Sequence, residues 1–211
     1  TQAGREKLAQ SERISNKSLG LAGVSRNGTR KAITPEYYQQ MAEAARLKDA
    51  GLAAALELTR LMGLRSQEAV RCSGSLKTWR EALEKGDTRL TVVLGTKGGR
   101  PRDTIIQDTG AVKQALDKAI VVAERRNGRL IDAASLKQAM KYWRNQTLRM
   151  GLTGKYSPHS LRYAWAQDDI CRYLAQGFSE KEALAMVAMD LGHGDGRGRW
   201  VKQVYARNDE A

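Results

Sequence analysis

Arg89-Leu90-Thr91-Val92-Val93-Leu94-Gly95-Thr96-Lys97-Gly98-Gly99-Arg100-Pro101-Arg102-Asp103-Thr104-Ile105-Ile106 is the stretch in which a helical pattern gives way to extended runs. Arg89 to Leu94 and Asp103 to Ile106 read as two strands, and the glycine-rich segment between them reads as the connection of a β-hairpin. Outward from the hairpin the pattern is helical. On its N-terminal side, Leu52, Ala55, Leu56 and Thr59 fall at i, i+3, i+4 and i+7, with Gly63 as a stop. Ser66 reads as the cap of a short helix through Arg71 and Ser75 as that of another through Lys85, and Thr34-Pro35-Glu36 is a helix start with Thr as N-cap and Pro at the first helical position. On its C-terminal side, Val112, Ala115, Leu116, Ala119, Ile120 and Ala123 define a helix closed by Asn127-Gly128. Another runs from about Leu136 to Met150 with Gly151 as its stop, Pro158 opens a helix carrying His159 to about Gln176, and Ser179 with Glu182 forms a capping box for a last helix ending near Gly192. The fold class expected is mainly α with a small antiparallel β-sheet.

Composition narrows the partners. Thirty-six Lys and Arg against 23 Asp and Glu leave the 211-residue chain at +13, a surplus that favours a polyanion. The surplus is uneven. Ala133 to Gln167 holds no acidic residue, while Lys137, Lys141, Arg144, Arg149, Lys155 and Arg162 are basic, which points to a phosphate-binding face rather than a solvated helix surface. Residues 1–31 are polar and basic, with seven Lys or Arg against two Glu, and read as a linker or the end of a preceding domain. The ordered domain then spans 32–211. A chain opening at Thr1 suggests a fragment of a longer protein. No apolar run approaches the roughly 18 residues of a membrane span. Cys72 and Cys171 lack metal-type spacing and fit a reduced, cytoplasmic protein.

Four motifs carry chemistry, and each taken singly has an ordinary structural reading. Gly63-Leu64-Arg65-Ser66-Gln67-Glu68 places an arginine at a helix start after a glycine turn, as many surface caps do. Lys97 stands at a glycine-rich hairpin tip, followed by Arg100 and Arg102. His159-Ser160-Leu161-Arg162 sets histidine and arginine at i, i+3 on one helix face, where both could grip one anion. Leu191-Gly192-His193 is followed by Tyr205, one of seven tyrosines.

In this order the set resembles the tyrosine site-specific recombinase, or phage-integrase, family over roughly Ile33 to Arg207. The resemblance implies the catalytic-domain fold of that family and a set of roles. Arg65 and Arg162 would clamp the non-bridging oxygens of a scissile DNA phosphate. Lys97 would protonate the leaving 5′ oxygen, and His159 would assist proton transfer and phosphate binding. His193 would fill the second histidine position, Tyr205 would be the nucleophile, and Glu68 would orient Arg65 from behind. Arg100, Arg102, Lys137, Lys141, Arg144 and Lys155 would contact DNA. The implied enzyme cleaves and rejoins double-stranded DNA through a 3′-phosphotyrosine, needs neither cofactor nor metal, and works as a homotetramer on DNA from free monomers. A bacterial mobile-element or prophage integrase is the implied role.

The chemistry of the residue types agrees. Displacement at a phosphodiester builds negative charge that forked, permanently charged guanidiniums suit. A tyrosine, ordinarily neutral with a pKa of about 10, becomes a better nucleophile among cations and imidazoles. His193 and Tyr205 are 205 − 193 = 12 positions apart, a longer interval than the family usually shows. Its Gly194-Asp195-Gly196-Arg197-Gly198-Arg199 predicts a mobile approach that swings Tyr205 into place on DNA. The competing readings are a type IB topoisomerase, which shares the chemistry but rejoins the original strand, and a DNA-binding module without catalysis.

Overall fold

The computed structural model describes residues 31–194 and 196–206, so all of the expected linker but Lys31 lies outside the described residues. Helix α1 (Pro35–Lys48) starts where expected, with Thr34 Oγ1 accepting from the Tyr37 N–H. Helix α2 (Ala50–Met62) is capped by Asp49 and stopped by Gly63 in the left-handed conformation. Helix α3 (Ser66–Arg71) follows, capped by Arg65 rather than Ser66, with the Glu68 carboxylate accepting the Arg65 N–H at 2.8 Å. A 3₁₀ turn (Cys72–Ser75) leads into α4 (Leu76–Glu84), whose buried Trp79 donates its indole N–H to the Thr91 carbonyl.

Strands β1 (Arg89–Val92) and β2 (Arg102–Ile105) pair antiparallel, Leu90 opposite Thr104 and Val92 opposite Arg102, joined by a connection with a 3₁₀ turn at Lys97–Gly99. Strand alternation puts Leu90, Val92, Arg102 and Thr104 on the inner face. Then come α5 (Thr109–Glu124), α6 (Leu136–Met150), a 3₁₀ turn (Gly154–Tyr156), α7 (His159–Ala175), α8 (Glu180–Asp190) and α9 (Gly198–Val204). The capping box of Ser179 and Glu182 and the Gly151 stop are where the residue types place them.

The apolar side chains form two cores. The larger gathers α1 to α6 and the inner strand face around residues such as Leu52, Leu58, Leu116 and Trp143. The smaller holds Trp165, Ile170 and Tyr173 of α7 with Leu184, Val187, Leu191, Val201 and Tyr205. Helix α7 serves both, since its Leu161 and Ala164 belong to the first and Tyr163 and Trp165 to the second. Between Leu161 and Tyr163 stands Arg162, fully buried at the seam. Among the described residues no helix is long and apolar enough to cross a membrane.

Gly63 is the tightest point of this seam. Its φ is +60°, and a β-carbon there would stand 2.6 Å from the Trp165 ring. Gly63→Ala therefore combines left-handed strain with overpacking and is expected to destabilise the fold by about 2–4 kcal/mol. Chemical denaturation checks this, and a loss below about 1 kcal/mol would show that the seam yields.

Candidate active site

The site is built where two helices end. Helix α2 stops at Gly63 and α8 stops at Asp190, which leaves their last carbonyls without intrahelical partners. Those carbonyls point at guanidinium groups. Arg162 donates from Nη1 to the Gly63 carbonyl and from Nη2 to the Leu191 carbonyl. Arg65 reaches the Leu191 carbonyl at 3.1 Å, and Arg102 reaches the carbonyls of Asp190 at 3.0 Å and Gly63 at 3.2 Å. Three cations thus share two helix C-termini, the ends where the helix dipole is negative.

One carboxylate joins them. Glu68, fully buried, accepts from Arg65 Nη1 at 2.8 Å and from Arg102 Nη2 and Nε at 2.7 and 3.1 Å. Burial alone would raise its pKa. The hydrogen bond and charge of Arg102, the charge of Arg162 and the Arg65 backbone N–H outweigh burial and hold it at about 2. Arg162 lacks such a partner. Burial, then the neighbouring Arg102, pull its pKa down to about 9, and its Nε–H has no acceptor. Among the described residues, two of the five N–H donors of its guanidinium find acceptors. Three guanidiniums around one carboxylate leave the pocket short of negative charge, and the Arg65 side chain, 20% exposed, opens it to solvent.

Tyr205 lies beside this pocket. Its hydroxyl is 3.4 Å from Nε2 of His159, at the start of α7, and 3.4 Å from Nε2 of His193, just past α8. The ring is packed on Tyr163 (centroids 4.5 Å apart) and Trp200 (5.4 Å), and its carbonyl accepts from Gln167 Nε2 at 2.9 Å. Tyr205 is only 2% exposed. The expected swinging approach is therefore corrected. The glycine-rich interval does not leave the tyrosine outside; α9 forms within it, and Val201, Val204 and Tyr205 complete the smaller core. Burial first, then the charges of Arg162, Arg65 and Arg102, push the His193 pKa down to about 3, so its imidazole is neutral near pH 7.

The structure thus gathers Arg65, Glu68, His159, Arg162, His193 and Tyr205 in one place. Lys97 is exposed on the hairpin connection, and among the described residues it makes no ion pair. Arg100, Lys137, Lys141, Arg144 and Lys155 are exposed. Arg102 is not. Expected on a DNA-facing edge, it is buried, and its donors are held by Glu68, Gly63 and Asp190, because its strand position shares the inner face with Thr104. Its place among the arginines was legible only in that strand parity. Gln167 and Trp200 carry no motif that could have marked them, while the Gly63 and Leu191 carbonyls lie inside motifs whose side chains alone suggested a role. An open groove of about 840 Å³ leads to His159, bordered by Ser66, Arg144, Thr147, Thr153 and Pro158. Among the described residues no group of three His, Cys, Asp or Glu is placed to hold a metal ion.

A family model described as Integrase matches residues 20–168, well over half of the chain. The chain belongs to this integrase family, of the phage-integrase or tyrosine recombinase type, and is a site-specific recombinase or integrase whose substrate is DNA. The matched span contains Arg65, Lys97, His159 and Arg162 and ends before His193 and Tyr205. No curated protein and no solved structure matches the chain.

Glu68 supplies a testable pH dependence. Its folded pKa lies below the ordinary 4.5, so its contribution to stability is complete above that value and is lost as pH falls toward about 2. Glu68→Gln is expected to cost about 3–5 kcal/mol at pH 7 by stranding buried cations. In denaturation series between pH 2 and 6 the gap from wild type should narrow with acid; a gap independent of pH would contradict the ion-pair account.

Proposed function

We propose that this chain cleaves and rejoins DNA through a 3′-phosphotyrosine at Tyr205, delivered to the arginine pocket of its own chain. The observation that carries the reading is the Tyr205 hydroxyl held equally between two imidazoles beside three guanidiniums and one carboxylate. In the attack the phenol oxygen bonds to phosphorus and the P–O5′ bond breaks. The phenol proton passes to one of the two imidazoles beside it, once the bound phosphate offsets the guanidinium charges that oppose protonation of His193. Arg65 meets the non-bridging oxygens from the solvent side, and the unused N–H donors of Arg162 meet them from within. Lys97, on its exposed turn, closes over the leaving 5′ oxygen and supplies its proton. The phosphotyrosine keeps the energy of the broken diester, so the 5′ hydroxyl of another strand can reverse the step without a cofactor.

DNA lies along the groove that ends at His159, with Arg144, Lys141, Lys137 and Lys155 on the backbone phosphates and Arg100 near the cut. Such contacts position the duplex without reading its sequence. Residues 32–211 form the catalytic domain, with residues 1–31 leading from a preceding DNA-binding domain. Four copies assemble on the recombination site from free monomers, in the service of a mobile element or prophage of a bacterial host.

Nicked duplexes of randomised sequence test the chemistry. Wild-type protein should form a covalent adduct mapping to Tyr205, and Tyr205→Phe should bind DNA but form none; an adduct undiminished in Tyr205→Phe would refute the nucleophile. Lys97→Ala should slow adduct formation by about 10²–10⁴-fold on ordinary DNA. A 5′-bridging sulfur, which leaves as a thiolate with a pKa of about 8.5, should remove most of that defect. Failure of the sulfur substrate to restore the rate would exclude Lys97 as the acid.

A further inference from the structure

Behind the arginine pocket lies a second polar cluster that the proposed chemistry does not use. Asp190, the last residue of α8, and Asp169, in α7, are both fully buried between the smaller core and β1. Arg89 of β1 pairs through Nη1 with Asp190 Oδ1, and the Tyr173 hydroxyl donates to Asp190 Oδ2 at 2.8 Å. Arg89 Nη2 also donates to the Tyr173 hydroxyl at 3.3 Å. Arg172 Nε donates to Asp169 Oδ1 at 2.9 Å, while Asp169 Oδ2 has no protein donor. Both carboxyl groups are buried, and the charge of Asp190 is felt by Asp169 and disfavours its ionisation. Two ionised carboxylates have no donor between them, so the pair is favourable only when it holds a proton.

The same residue has its backbone in the active site. The Asp190 carbonyl accepts from Arg102, and the next carbonyl, that of Leu191, accepts from Arg65 and Arg162. The side chain of Asp190 is tied to β1 and α7, and its main chain holds the arginines. We propose that Asp190 is a positioning residue for the phosphate-binding arginines, acting through the last turn of α8, and that it shares a buried proton with Asp169. A buried acid at this place is costly, and an apolar side chain would fill it at less cost. What an apolar side chain could not do is bind Arg89 and Tyr173 at once and so fix the direction of the two carbonyls.

Burial, reinforced by the charge and hydrogen bond of Asp190 against the pull of Arg172, holds the Asp169 pKa up at about 7. A folded value raised above the ordinary 3.8 means that the stabilisation from the shared proton is complete at low pH and lost as pH rises through about 7. The other charged or titratable groups facing the pair are Arg89 from β1, Arg172 and Tyr173 from α7, and Arg102 from β2 at the main chain.

The inference rests on the proposed function for its effect on cleavage but not for the shared proton, so two measurements separate them. In the first, wild type and Asp169→Asn are melted between pH 5 and 9. The amide of the variant is a donor at every pH, so its melting temperature should gain on wild type from pH 5 to about 7 and hold that gain above it; curves parallel over the whole range would overturn the shared proton whether or not the protein cleaves DNA. In the second, Asp190→Asn is assayed on the nicked duplexes, with its DNA affinity taken in the Tyr205→Phe background. Adduct formation should fall about tenfold to a hundredfold, while affinity changes by less than about threefold, as expected for phosphate contacts made mostly elsewhere. Wild-type cleavage in the same assay judges the proposed function by itself. An Asp190→Asn variant that cleaves at the wild-type rate, or that loses cleavage and binding in equal measure, would overturn the positioning role.

Discussion

Two helix ends aim their unpaired carbonyls at one set of guanidiniums, and the architecture depends on that meeting. Gly63 ends α2 in the larger core, Leu191 follows α8 in the smaller, and Arg162 donates to both. Neither core could place a buried cation alone. Helix dipoles contribute only partial charges, so their ends ease the burial of guanidiniums without neutralising them. Among the described residues Glu68 supplies the full countercharge that Arg65 and Arg102 share. The remaining positive charge is a standing demand for an anion, set by packing before any substrate arrives.

Placement of the tyrosine follows from the same seam. His193 is held one turn past the α8 terminus by its N–H bond to the Ala188 carbonyl, and His159 opens the helix that carries Arg162. Both imidazoles are therefore fixed by the elements that fix the arginines. Tyr205 enters last in sequence, yet it belongs to the smaller core, with Tyr163 and Trp200 against its ring. The placement of its hydroxyl between two imidazoles and the apolar packing of its ring are here satisfied by one side chain.

Much of this was legible in the residues. Capping and stop signals at Thr34, Gly63, Gly151 and Ser179 set the helices, because they act locally on the backbone that carries them. The change of period marked the hairpin, and the i, i+3 pair of His159 and Arg162 marked the face that meets the site. The rest depends on contacts distant in sequence. Arg100 and Arg102 read as one basic run, yet Arg100 stays on the exposed connection while Arg102, the first residue of β2, turns to the inner face, where Glu68 holds it. The glycines at 194, 196 and 198 suggest freedom, and only the fit of Val201 and Val204 into a core formed by α7 and α8 cancels it. Ser66 looked like a cap, but the buried Glu68 accepts the Arg65 N–H and moves the helix boundary back by one.

Two apolar bodies joined across a charged seam will not cohere equally in every medium. Each is held within itself by burial, but between them lie guanidiniums that repel one another and are only partly compensated. An anion that lodges among those groups binds the folded chain and so stabilises it by mass action. Polyphosphate or nucleic acid would thus serve the fold as mortar as well as cargo, and the sturdiness of the chain becomes a property of the solution that surrounds it.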